Sequence, residues 1–319
     1  MRLPSILNAV HETPLVALPK LSARLDRHLF LKLESANPTG SMKDRVALHC
    51  IDKAIERKRI VPGDVIVEST SGCLGISLAM VGRHRGFHVI CVIDPKTTTA
   101  SRVLMRSFGS EVIEVSGADP YGNYLQARLN KVNEIVSTTE RAWWFDQYSN
   151  PDHPDAHEHH TAPEILRDMD GDVDCVVCPV GTGGLVAGIS RFFKRCLPRC
   201  RIMAVDAEGS VALGGRPGPR LQVGIGSGMR SKHVSLDLLD EKVYVSDAEA
   251  EGAAHLLAGE ETILLGGSTG SALAGVIKTL HRTRSGERIV VVAPDLGLKY
   301  IDSLYCENSH ALTSSREVL

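Results

Sequence analysis

Residues 37–45 read Asn-Pro-Thr-Gly-Ser-Met-Lys-Asp-Arg, which sets one lysine, Lys43, behind a loop of small residues and ahead of an apolar run with helical spacing. A surface lysine needs no such frame. A lysine whose amine must act as nucleophile or base does, because the amine has to be aimed and its neutral form favoured. Three glycine-rich turns accompany it. Residues 68–75 read Glu-Ser-Thr-Ser-Gly-Cys-Leu-Gly, residues 181–184 read Gly-Thr-Gly-Gly and residues 266–271 read Gly-Gly-Ser-Thr-Gly-Ser. Each precedes a helical pattern and is expected to follow a strand. Helix starts present unpaired N–H groups and the positive end of the helix dipole, so such turns suit carboxylates and phosphates. The 181–184 turn has neither the dinucleotide fingerprint nor the Gly-Lys-Ser/Thr of a nucleotide-triphosphate loop. A compact phosphate, such as that of a vitamin cofactor, fits it better.

The elements that must position these residues alternate in kind. Residues 29–33, 65–67, 88–93, 174–180, 201–205 and 288–293 read as strands, and 46–57, 76–85 and 185–195 as helices. Strands alternating with helices imply βαβ units and a parallel sheet. Residues 209–231, rich in Gly, Pro and Arg, read as a long loop of the kind that often serves an active site. The polar tail 308–319 is expected to fray. The chain of 319 residues is 43% hydrophobic with a formal net charge of -2. That balance gives no bulk-charge basis for binding nucleic acid or an anionic membrane surface. The apolar runs are strand-sized, so no membrane span is expected. Without a secretory pattern at the start, the eight cysteines read as free thiols in a reducing cytoplasm.

The run 37–45 resembles the lysine motif of the fold-type II enzymes dependent on pyridoxal 5'-phosphate, a family that includes cysteine synthase, cystathionine β-synthase, threonine synthase and serine racemase. Residues 69–72 resemble the family's substrate loop, 181–184 its phosphate loop, and Gly224-Ile225-Gly226-Ser227-Gly228 the Gly-Ile-Gly loop of cysteine synthases. The likeness runs from His11 to Asp295, with four motifs in family order. It implies an α/β architecture like the tryptophan synthase β-subunit, with parallel sheets and flanking helices. Residues 1–39 and 146–319 would form the large cofactor-binding domain, and 40–145 a small mobile substrate domain. The family is usually dimeric, so a homodimer acting on small amino-acid substrates is expected.

The resemblance also implies roles. Lys43 would form the Schiff base with the cofactor and then abstract the substrate α-proton. Gly181, Thr182, Gly183 and Gly184, with the backbone N–H of Leu185, would hold the cofactor phosphate. Ser268 matches the partner of the pyridine nitrogen, and the same position suits a helix N-cap. Thr70, Ser71, Gly72, Leu74 and Gln147 would bind the substrate α-carboxylate, and Gly226 would line the substrate site. Arg220 and Arg230 flank the loop 224–228 and would greet an anionic leaving group or side chain. Cys73 departs from the family, which commonly carries asparagine there. It reads as a small residue packed beneath the ring, or as a redox-sensitive thiol if the helix start lowers its pKa. His153, His157, His159 and His160 with Asp152 and Glu158 look like a metal cluster, but they fall on a family helix start that carries none, so no metal is expected. Cys175 and Cys178 lie three apart in one strand and point to opposite faces, so they cannot share an ion.

Glu68 to Gly72, Val205 to Ser210 and Gly267 to Ser271 look closest to the branch of N-(2-amino-2-carboxyethyl)-L-glutamate synthases, of the diaminopropionate pathway in siderophore and peptide antibiotic biosynthesis. That branch joins O-phospho-L-serine to L-glutamate by β-replacement through an α-aminoacrylate. The alternatives are a cysteine synthase using O-acetylserine or O-phosphoserine with sulfide, and a protein that holds the cofactor without turnover.

Overall fold

The computed structural model describes residues 2–306, so the tail 308–319 lies outside the described residues. The chain runs β1 (Leu15–Ala17), α1 (Pro19–Leu25), β2 (His28–Leu33), α2 (Lys43–Glu56), β3 (Val65–Ser69), α3 (Cys73–Arg85) and β4 (His88–Ile93). It continues through α4 (Thr99–Ser107), β5 (Glu111–Glu114), α5 (Leu125–Thr138), β6 (Ala142–Trp144), α6 (Asp152–Ala156), a π-turn (His157–Thr161) and α7 (Ala162–Asp168). The remainder is β7 (Cys175–Pro179), α8 (Gly184–Cys196), β8 (Arg201–Ala207), β9 (Glu241–Val245), α9 (Asp247–Glu261), α10 (Gly267–Lys278) and β10 (Arg288–Ala293). The expected strands and helices are present. The third glycine turn follows α9 and a single bridge between Leu265 and Leu296 rather than a strand.

Two sheets result. The larger runs β1-β2-β10-β7-β8-β9 and the smaller β5-β4-β3-β6. Every pairing is parallel except β1 with β2. Parallel strands are covered on both faces, which is why they read as near-continuous apolar runs. Cys175 and Val177 face the layer of α1, α9 and α10, while Val176 and Cys178 face the layer of α7 and α8. The two cysteines therefore point apart, as their spacing requires. In the smaller sheet Ile66 and Cys91 pack under α2 and α3, and Val67 and Val92 under α5.

A buried ionic cluster joins the two layers around the start of α2. Arg45 is fully buried. Its Nε and Nη2 donate to Glu34 at 2.6 and 2.8 Å, and its Nη1 and Nη2 to Glu164 at 2.5 and 2.7 Å. Lys32 adds contacts of 2.9 Å to Glu164 and 3.0 Å to Asp168. The bidentate guanidinium contacts give the cluster a defined geometry. Burial alone would push the Glu164 carboxyl up, but the hydrogen bonds and charges of Arg45 and Lys32 outweigh it and hold the carboxyl at about 2.

Removing one member of a buried pair strands the other charge, at a cost of about 3–5 kcal/mol. Arg45→Leu is expected to lose that much stability in urea titration. Glu164 is held below its ordinary 4.5, so its contribution is present above that value and fades as pH falls toward 2. The gap between wild type and Arg45→Leu therefore narrows over the same acid range, and a gap independent of pH would refute this account.

Candidate active site

The C-terminal ends of the parallel strands deliver the predicted residues to one cleft. The ends of β3 and β6 supply Thr70 to Leu74 and Gln147, and the ends of β7 and β10 supply the 181–184 turn and Asp295. This is where open parallel sheets place their ligands. The lysine loop follows β2 and is pinned from several sides. Met42 N–H donates to Pro294 O at 2.8 Å, and Leu296 N–H to Gly40 O at 3.1 Å. Asp44 accepts from Thr39 N and Oγ1 at 2.7 and 2.5 Å and from Ser77 Oγ at 2.6 Å, tying the loop to α3.

Lys43 opens α2 and faces the cleft. Burial pushes its amine down to about 8, partly offset by Cys73, Cys50, Glu68 and Asp295. A neutral fraction at physiological pH is what a nucleophilic lysine needs. Its Nζ lies 3.5 Å from His153 Nε2.

The 181–184 turn leads directly into α8. Gly183 has φ +93°, a conformation side chains rarely adopt. Ser231 Oγ donates to Thr182 O at 2.7 Å and Gly226 N–H to Val180 O at 2.8 Å, so the long loop runs alongside this turn. Gly181, Thr182, Gly183 and Leu185 line the cleft. Gly184 lies just off the wall, where an added Cβ would come within 2.4 Å of the His153 ring.

At the end of β3, Thr70 Oγ1 accepts from Gly72 N–H and Gly75 N–H, both at 3.1 Å. The hydroxyl thus shapes the loop and keeps its own proton to donate. Ser71, Gly72 and Leu74 line the cleft beside it. Gln147 is buried rather than a surface amide. Its Nε2 donates to Ser69 O at 2.7 Å and to Glu68 Oε1 at 3.3 Å.

Cys73 is the first residue of α3. Its thiol donates to Asp295 Oδ2 at 3.1 Å, and Lys299 Nζ stands 3.5 Å from the sulfur. Tyr300 Oη donates to the same Asp295 oxygen at 2.6 Å. Burial and the Asp295 charge push the Cys73 thiol up to about 11, opposite to the direction a redox-sensitive thiol requires. Ser268 also lines the cleft. The N-cap of α10 is Gly266, so Ser268 lies inside the helix and does not cap it.

Arg220 lines the cleft, and its hydrogen bond among the described residues is to Gly209 O, at 3.3 Å. Arg230 is a correction. It is exposed and outside the cleft, because the chain turns back after Gly228 to bring Ser231 onto Thr182. Sequence reasoning missed Arg128. It lines the cleft from α5, nearly buried, with Nε 3.3 Å from Asp94 and Nη1 without a hydrogen-bond partner among the described residues. Its signal was legible, since Leu125, Arg128, Val132 and Ile135 form the buried stripe of one helix, and arginine has no reason to be there without a charge to meet. Asp295 and Tyr300 were also missed, and the run around them carries no such signal. The histidines go separate ways. His157 Nδ1 pairs with Thr161 and His159 Nδ1 with Asp155 O, and no group suited to a metal ion occurs among the described residues.

A partly neutral lysine, a glycine turn at a helix start and the Ser268 hydroxyl, which makes no side-chain hydrogen bond among the described residues, fit a pyridine cofactor bearing an aldehyde and a phosphate. Residues 6–295 match the family described as pyridoxal-phosphate dependent enzyme. N-(2-amino-2-carboxyethyl)-L-glutamate synthase of Ralstonia nicotianae is 38% identical over 301 residues, covering 94% of this chain and 89% of that protein. Among solved structures, a lysine-to-alanine mutant of O-ureido-L-serine synthase, with O-ureido-L-serine bound, superposes with a TM-score of 0.89 at 28% identity, covering 99% of each chain. The O-acetylserine dependent cystathionine β-synthase of Helicobacter pylori gives a TM-score of 0.89 at 29% identity, covering 96% of this chain and 100% of that one.

Burial, with Asp146 adding to it, raises the Glu68 carboxyl to about 8 against the hydrogen bonds from Gln147. Between its ordinary 4.5 and about 8 the folded protein therefore binds more protons than the unfolded chain. The stability that this carboxyl contributes falls as pH rises through that window. Glu68→Gln is expected to flatten this fall when Tm is followed across it. An undiminished slope in the variant would assign it elsewhere.

Proposed function

Because this chain belongs to the pyridoxal-phosphate dependent enzyme family and works by β-replacement, we propose that it joins O-phospho-L-serine to L-glutamate, giving N-(2-amino-2-carboxyethyl)-L-glutamate. The observation that carries the choice of phosphoserine is Arg128, a nearly buried guanidinium with an unused N–H in the cleft wall. An unpaired buried donor is costly unless a ligand completes it. A phosphate meets it with charge as well as acceptor oxygens, whereas an acetyl ester offers only a neutral carbonyl. The 38% relative is named for the same product, which supports glutamate as the acceptor.

In this reading the cofactor, when bound, draws off the electron pair left at the substrate α-carbon so that the β-substituent can depart. The chain does the rest. Lys43 carries the cofactor and moves the α-proton. The N–H groups of Gly181, Thr182, Gly183, Gly184 and Leu185 hold the phosphate of the cofactor. Ser268 meets its ring nitrogen, and a neutral hydroxyl leaves that nitrogen unprotonated. Thr70, Ser71, Gly72, Leu74 and Gln147 hold the α-carboxylate. Arg128 takes the departing phosphate, while Gly226 and Arg220 border the entry of glutamate. Cys73, in the cleft wall, would lie beneath the cofactor ring. Residues 40–145 close over the substrate as a small domain, a gating motion of a familiar kind. We assign the protein to the cytoplasm as a homodimer feeding diaminopropionate formation.

A cysteine synthase is the second reading, favoured by the Gly-Thr-Gly-Gly turn at residues 181–184. Absorbance spectra decide between them. The cofactor band is expected to shift with O-phospho-L-serine and to return on adding L-glutamate. Return only with sulfide favours the second reading, and Lys43→Ala should abolish the shift. Arg128→Met is expected to lower kcat/KM for phosphoserine roughly ten- to hundredfold, as suits a charged hydrogen bond of about 1.5–3 kcal/mol. Its effect on O-acetylserine should be several-fold smaller, and an equal loss for both sinks the assignment.

A further inference from the structure

We propose that His153 is a positioning residue for Lys43, accepting an N–H of the free amine at Nε2 and tying that amine to the peptide carbonyl of Gln147. The inference rests on reading Lys43 as the lysine that bears the cofactor. His153 is completely buried. Its Nδ1 lies 2.9 Å from Gln147 O. A carbonyl only accepts, so Nδ1 carries the proton and Nε2 presents its lone pair. Among the described residues that lone pair has one partner, the Lys43 amine at 3.5 Å. At 3.5 Å the contact stands at the long end of the hydrogen-bonding range.

The ring cannot turn away. Gly184 leaves the space it fills, since a Cβ there would sit 2.4 Å from the ring. His233 Nε2 donates to the same Gln147 carbonyl at 2.9 Å and its ring stands edge-on to His153. One peptide carbonyl thus anchors two imidazoles, and its own side chain faces the cleft. Burial, with the charges of Lys43, His233 and His157, holds His153 well below its ordinary value, so it stays neutral and remains an acceptor. Each time Lys43 is free it becomes an ammonium on taking the α-proton. It needs a fixed acceptor that does not compete for that proton. The other titratable groups acting on Lys43 are Cys50, Cys73, Glu68 and Asp295, with His157 and His233 on the histidine side.

Two measurements on the holoenzyme test this. With imidazole-labelled histidine, the 15N resonance of His153 Nε2 should stay unprotonated and shift when O-phospho-L-serine frees Lys43. Accepting a hydrogen bond favours the ammonium and raises the amine's pKa, so His153→Asn should move the acid limb of the kcat–pH profile downward by about one unit. An unmoved limb together with an Nε2 resonance indifferent to substrate overturns the proposal. Should His153→Asn not fold, the resonance in wild type decides alone. Loss of the cofactor band in Lys43→Ala without either His153 effect refutes only this inference. Retention of that band refutes the reading of Lys43 itself.

Discussion

A guanidinium that never meets water holds the lysine in place. Arg45 lies two residues past Lys43 on the same helix, clamped between Glu34 at the end of β2 and Glu164 on α7. Such a clamp tolerates little displacement, because any shift exposes a buried charge to an apolar surround. The first turn of α2 therefore cannot rotate, and the side chain at its first position is aimed by chemistry two residues away. Asp44 locks the loop on the other side through Thr39 and Ser77.

Desolvation then tunes the groups around the cleft, each according to its charge type. The lysine is pushed toward neutrality, and the Glu68 carboxyl and the Cys73 thiol are held protonated. Burial thus puts neutral hydrogen-bonding groups where solvated ions would otherwise stand. Arg128 is the counterexample, a permanent charge whose Nε and Nη1 have no hydrogen-bond partner among the described residues, and that mismatch makes it informative about the ligand.

What was legible in the sequence was whatever imposes a local pattern. The framed lysine, the glycine turns and the alternation of strand and helix are properties of short windows, and they reappear with boundaries shifted by a few residues. Position in the 209–231 loop was a poorer guide. It suggested both Arg220 and Arg230, yet one turn of backbone carries Arg230 to the solvent. Arg128 was readable as an arginine on an apolar stripe and was passed over. His153 was noticed for the wrong reason, as one of several histidines, because its partners lie on Lys43 and Gln147, far from it or unremarkable in sequence. Asp295 and Tyr300 acquire meaning only when the end of β10 comes to rest beside α3.

The placement of β10 has a consequence for biosynthesis. It is the last strand in sequence among the described residues, yet it lies in the interior of its sheet between β2 and β7. Until residue 293 has left the ribosome, those two strands keep open edges that have no neighbour. The tether from Met42 to Pro294 spans most of the chain, so the lysine loop lacks that anchor as well. Such non-local closure is slow and leaves apolar edges at risk of misassociation. The cleft that gathers Lys43, the 181–184 turn and Asp295 can therefore assemble only once β10 has taken its place in the sheet.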